Sequence, residues 1–117
     1  MPATLQVGVR CAALVALHEQ YQTHCSAFIT ACNPHGMLLD TAVNERQQWL
    51  LCADILGLGL AAIPGTGEHP TGAWPAEPSY LVPGLARDIA QSLGRKFQQN
   101  AIIWTDVDAV PQLLLLR

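Results

Sequence analysis

The chain is poor in charge and lacks clusters of any one functional group. Of 117 residues only 13% are charged, well below the usual share for a soluble domain. The six basic residues (Arg10, Arg46, Arg87, Arg95, Lys96 and Arg117) are scattered apart from one adjacent pair. A nucleic-acid footprint, which needs clustered Lys and Arg, is therefore not expected. Apolar runs are broken by Arg, His, Glu or Gly well short of the ~18–20 residues that span a bilayer, so no membrane segment is predicted. The N-terminus lacks the basic flank and apolar core of an export signal. Its absence predicts a cytoplasmic chain whose four cysteines (Cys11, Cys25, Cys32 and Cys52) stay reduced. There is no CxxC and no HxxxH, and the spacing of Cys25, Cys32, His24 and His35 matches no metal-ligand pattern, so no metal site is predicted. Gly65-Thr-Gly67 lacks both the Lys-Ser/Thr of a phosphate loop and the third glycine of a dinucleotide fingerprint. No motif names a cofactor, and that chemistry stays open.

What the chain has is apolar residues, at 50% of the total. That is enough to bury the core of one domain over residues 1–117. With so little charge, some apolar surface is left for a partner, and a homodimer is a reasonable expectation. Periodicity predicts a short strand over Thr4–Val9 and a helix over Arg10–Tyr21. A buried strand follows over Ser26–Asn33, then a turn over 34–40. Asp40 and Thr41, both N-cap types, precede a helix to about Leu56, with a face of Val43, Trp49, Leu50, Cys52, Ala53 and Leu56. Gly57 and Gly59 end it. Leu60–Ile63 reads as a strand and Pro64–Pro78 as a long Gly/Pro loop, within which Gly65-Thr-Gly67 supplies a positive-φ turn. Ser79–Val82 is the next strand. Leu85, Ile89, Leu93 and Phe97 recur every four residues, with Ala86 and Ala90 alongside, as a helix stripe. Ala101–Trp104 and Gln112–Leu116 are the last strands.

The expected fold is a two-layer α/β sandwich. A ferredoxin-like βαββαβ core spans 26–105, with an additional βα unit in front and one strand behind; a mainly parallel three-layer sheet is the alternative. In a βαβ unit the two strands run the same way. Chain direction then sends the end of the 26–33 strand, the start of the next helix, the long loop, the start of the Ser79 strand and the end of the last helix to one edge. Asn33, Asn44, Trp74, Glu77, Ser79, Gln99 and Asn100 would share it, and Arg10 would join them from the end of the first strand.

These pieces resemble a bacterial family catalogued as a domain of unknown function, numbered 3293. The resemblance is carried by Phe28-Ile-Thr-Ala-Cys-Asn-Pro34, Asn44, Gly67, Trp74-Pro-Ala-Glu-Pro-Ser79 and Gly94-Arg-Lys-Phe-Gln-Gln-Asn-Ala101. It runs from about Leu5 to Trp104 and implies a glycine where this chain has Gln98. It implies no activity, so whether the protein is an enzyme stays open.

Two readings stand for each candidate. Glu77 and Ser79 supply a carboxylate and a hydroxyl for catalysis, or Glu77 caps a loop end or pairs with Arg10 or Arg95. One carboxylate cannot do the paired work of a glycosidase, and Glu68 is the only obvious second. Gln99 and Asn100 offer neutral donors and acceptors suited to a nucleobase, a sugar or an amide, or form a helix C-cap. Asn33 binds ligand or closes the strand as an Asx turn. Asn44 joins the site or stands in a capping box with Thr41. Trp74 stacks on a ligand or tethers its loop, whereas Trp49 and Trp104 read as core. Cys32 reads as packing rather than as a nucleophile paired with His35. The functional expectation is a polar small-ligand or nucleotide-type site at one sheet edge. The alternative is a non-enzymatic interaction module or homodimer in which the same residues are structural.

Overall fold

A computed structural model describes residues 4–67 and 76–117. The expected sites at Trp74 and Glu68 lie outside the described residues. The elements run α1 (Ala12–Gln20), β1 (Ser26–Ile29), α2 (Thr41–Gly57), β2 (Ile63–Gly67), β3 (Glu77–Pro83), α3 (Arg87–Lys96), β4 (Ala101–Thr105) and β5 (Pro111–Leu115). The strands form one sheet in the order β2-β3-β1-β4-β5, and every neighbouring pair is antiparallel. Each βαβ unit therefore has a strand of the other unit inserted between its own two strands. This is the split arrangement of a ferredoxin-like core, with β5 added at the β4 edge. A mainly parallel sheet is overturned.

Side chains alternate across the sheet. Ala27, Ile29, Val82, Ile102, Trp104 and Leu114 point to the face covered by α2 and α3 and pack with Leu51, Ile55, Leu93 and Phe97. The Trp104 indole N–H donates to the Leu85 carbonyl at 2.9 Å, so the buried ring leaves no orphan donor. On the opposite face the register aligns Ile63, Leu81, Phe28, Ile103 and Leu113 in one row across all five strands. At one end of that face α1 meets the sheet through buried His18, whose Nε2 lies 3.0 Å from Ser26 Oγ. Burial, with His24 nearby, pushes the His18 pKa below its usual value.

Several local expectations are corrected. Thr4–Val9 is not a strand: the segment turns near Gly8 and bonds to the β4–β5 turn region through Gly8 N to Pro111 O, with Cys11 N to Ala109 O just beyond it. The N-terminal unit thus keeps its helix without its strand. Gly65 and Gly67 lie in β2 rather than in a turn. A Cβ on Gly65 would stand 3.1 Å from the Phe28 ring, and one on Gly67 would stand 3.3 Å from Ser79 Oγ. Close approach of the Phe28 ring at Gly65 and of Ser79 Oγ at Gly67, not positive φ, is what favours glycine there. On α2 the buried stripe is Gln48, Leu51 and Ile55, while Trp49 is 70% exposed and is not core. On α3 the inward residues are Ala90, Leu93 and Gly94, with Phe97 just beyond, and Ile89 faces out.

Gln98 follows α3 with a φ of 57°, a conformation that costs a residue with a Cβ about 1–2 kcal/mol and glycine almost nothing. The glycine expected here from the resemblance would avoid that strain. Gln98→Gly is expected to raise stability by up to about 1 kcal/mol, part of the gain being offset by glycine's larger unfolded-state entropy. Gly94→Ala is expected to lower it by about 1–3 kcal/mol, because the new methyl would collide with Leu116 Cδ1 and stand 2.9 Å from Ile102 Cγ2. Urea unfolding of the two variants checks both signs.

Candidate functional site

β1 stops pairing at Ile29, although the apolar run continues through Cys32. The backbone beyond it is held by side chains. Ala31 N–H donates to Gln48 Oε1 at 2.8 Å, Cys32 N–H to Thr30 Oγ1 at 3.1 Å, and Asn33 N–H to Asn44 Oδ1 at 2.9 Å. The Cys32 carbonyl accepts from Gln99 Nε2 at 3.0 Å. Four amide donors or acceptors that a longer strand would have placed in the ladder are thereby satisfied by α2, by Thr30 and by the segment after α3.

Asn33 is the centre of this arrangement. Its backbone is left-handed, with φ 49° and ψ 61°, a region that Asn tolerates better than most residues. Its Oδ1 accepts from Leu39 N–H and from Asn44 Nδ2, both at 2.9 Å, and its Nδ2 donates to Glu77 Oε2 at 2.6 Å. The bond to Leu39 closes the 34–39 loop, which a local Asx turn would not do. The capping-box expectation for Asn44 is also corrected. Asp40 is the N-cap, accepting from Val43 N–H at 2.9 Å, and Asn44 is left to reach Asn33 and the Leu39 carbonyl. Gln48, one turn further along α2, completes the stripe by donating from Nε2 to the Pro78 carbonyl at 3.0 Å.

These bonds tie the 30–39 segment, α2 and the start of β3 around a cleft of about 620 Å³. Its polar lining is Asn33, Thr41, Asn44, Glu45, Gln48 and Glu77; its apolar lining includes Leu38, Leu39, Trp49, Pro78 and Tyr80. Among the described lining residues there is no Lys or Arg. Cys32 also lines it, with its thiol pKa pushed up by burial, opposed by the hydrogen bond with Thr30 and reinforced by the nearby Glu77 charge. Burial likewise raises the Tyr80 hydroxyl, and Cys52 and then Cys32 add to the shift. At neutral pH both groups are uncharged, so the formal charges among the described lining residues are the carboxylates of Glu45 and Glu77.

The residues expected to share one edge are partly brought together. Asn33, Asn44 and Glu77 meet directly. Gln99 is buried and spends its amide on the Cys32 and Phe97 carbonyls, supporting the loop from behind rather than lining the cleft. Ser79 is buried on the Phe28 face of the sheet, with its hydroxyl 3.3 Å from the Glu77 carbonyl, and does not line the cleft. Asn100 is exposed and accepts from the Arg117 guanidinium at 2.9 Å. Arg10 is placed at the opposite edge: its neighbour Cys11 bonds to Ala109, beside the turn where β4 ends and β5 begins. The strand that would have carried Arg10 to the shared edge does not exist. Sequence reasoning missed Gln48, Glu45 and Tyr80 as lining residues and placed Trp49 in the core. The available signal was the Asn44–Gln48 spacing, which puts two amides one turn apart on one helix face.

A family model described as a protein of unknown function (DUF3293) matches residues 29–102, and the chain belongs to that family. No curated protein and no solved structure matches it. The matched span runs from the last residue of β1 into β4. It contains Asn33, Asn44, Gln48, Glu77 and Gln99, and leaves Arg10, α1 and β5 outside.

Removing the Asn33 side chain takes the partner from Leu39 N–H, from one hydrogen of Asn44 Nδ2 and from a Glu77 oxygen together. Asn33→Ala is expected to cost about 2–4 kcal/mol in denaturant unfolding, at ~1–3 kcal/mol for each buried group that water does not recover. Asn33→Gly loses the same bonds without the left-handed strain, and should be less destabilised than the alanine variant by about 1 kcal/mol. Equal stability of either variant with the wild type would remove Asn33 from its central place.

Proposed function

We propose that the protein binds a small molecule in the cleft between the first half of α2 and the start of β3, with Glu77 as the polar anchor and Trp49 as the exposed apolar wall. The observation that carries this reading is the fixed position of Glu77. A side chain at the mouth of a strand is held by Asn33, itself held by Asn44, beside a concavity within the usual ~300–1,000 Å³ range of ligand sites. Fixing a polar group before the ligand arrives lowers the ordering cost of binding. The reading is one of binding. Ser79, the expected catalytic partner of Glu77, hydrogen-bonds locally on the other face of the sheet.

The test is a thermal-shift screen of the full chain against a metabolite mixture. Wild-type protein should show a ligand-dependent rise in Tm. Trp49→Ala and Glu77→Gln should lose the rise while unfolding near the wild-type temperature without ligand, since Trp49 is largely exposed and a glutamine carbonyl can still accept from Asn33. A rise that persists in Trp49→Ala would sink the reading.

A second reading rests on a separate observation. At the β5 end of the five-residue apolar row on the far face of the sheet, Leu113 and its neighbour Leu115 are 53% and 70% exposed, with Leu115 paired to Ala101 and Leu113 to Ile103. Adjacent apolar side chains on an edge strand suit packing against a second copy of the chain. Sedimentation equilibrium should then give a dimer that Leu115→Glu converts to a monomer. A monomeric wild-type chain at high micromolar concentration would exclude it.

A further inference from the structure

We propose that the ligand of this cleft is an organic cation, an ammonium group carried on an apolar body; this rests on the binding-site reading above. Both hydrogens of Asn44 Nδ2 are committed, to Asn33 Oδ1 and to the Leu39 carbonyl. One hydrogen of Asn33 Nδ2 goes to Glu77 and one of Gln48 Nε2 to the Pro78 carbonyl. Gln99 and Asn100, expected from the sequence to read a nucleobase or a sugar, do not line the cleft, and the amides that do line it help to hold its walls. The charged side chains of the described lining are Glu45 and Glu77, with no Lys or Arg to balance them, and its hydroxyls, on Thr41 and Tyr80, are neutral.

Among the described lining residues a phosphate or carboxylate meets two carboxylates and no Lys or Arg, so the phosphate of a nucleotide has no cationic partner there. A protonated amine meets the opposite situation. Glu77 is already oriented toward the cleft by Asn33, and Glu45 lies one helix position beyond Asn44. The aromatic lining adds a second attraction, because the faces of Trp49 and Tyr80 favour a cation at close range and also cover an apolar body. The net charge of −3 attracts a cation at longer range.

Isothermal titration of the full chain at pH 7 with three shape-matched probes tests this: phenethylammonium, neutral 2-phenylethanol and anionic phenylacetate. The expected result is measurable binding of phenethylammonium, at least tenfold weaker binding of the alcohol and none of the acid. Glu77→Gln and Glu45→Gln should each weaken the ammonium probe about tenfold, and Trp49→Ala should weaken it further than it weakens the alcohol. Binding of the alcohol or the acid as tightly as the ammonium overturns the cation assignment and leaves the cleft as a binding site. Binding of none of the three, with a Trp49-dependent shift in the metabolite screen, also overturns the cation assignment alone. Binding of none, with no such shift, overturns both.

Discussion

The hydrogen bond from Asn33 Nδ2 to Glu77, with the two that Asn33 Oδ1 accepts, is the constraint on which the rest of this edge depends. A central strand that leaves its sheet early must place its backbone groups elsewhere, and an unpaired buried amide is costly. Here α2 supplies the partners. Gln48 receives the Ala31 amide, Asn44 receives the Asn33 amide, and the position of α2 over the sheet follows from those two contacts as much as from Leu51 and Ile55 beneath it. The cleft is the space that remains when a helix is held to a strand end by polar side chains instead of close apolar packing.

The same arrangement separates the amides from the carboxylates in their roles. Asn33, Asn44, Gln48 and Gln99 are turned inward on one another or on backbone, and they fix geometry. Glu45 and Glu77 carry the charge. Buried polar networks of this kind are stable when each member is satisfied, and among the described residues no buried side-chain nitrogen or oxygen is left without a partner.

Much of the fold was legible because the βαββαβ order and the direction rule for βαβ units together fix which ends of the elements lie at one edge. That rule places Asn33, Asn44 and Glu77 at one edge, and the strand order, with β3 beside β1, brings them within reach of one another. The errors have physical causes. Thr4–Val9 alternates like a strand, but Gly8 takes a positive φ of 82° and the segment turns. Gly65-Thr-Gly67 reads as a turn by composition, yet its glycines make room for the Phe28 ring and for Ser79 across the sheet, tertiary contacts that no local pattern encodes. On α2 the apolar residues lie on more than one face, and the buried face is chosen by Gln48, a polar residue whose burial depends on partners at Ala31 and Pro78. Ser79 and Glu77 share a strand, but the former meets Phe28 and the latter the cleft, because Glu77 sits where the strand begins and can reach around its rim.

The residue after Asn33 is proline, and this bears on the chemical lifetime of the edge as well as its shape. Asparagine side chains age chiefly when the next residue's backbone nitrogen attacks the side-chain carbonyl, closing a five-membered ring and expelling ammonia. Pro34 has no N–H with which to do this. The amide that orients Glu77 is therefore shielded from the reaction that would turn it into a carboxylate, which would face Glu77 with a like charge and undo the bond between them.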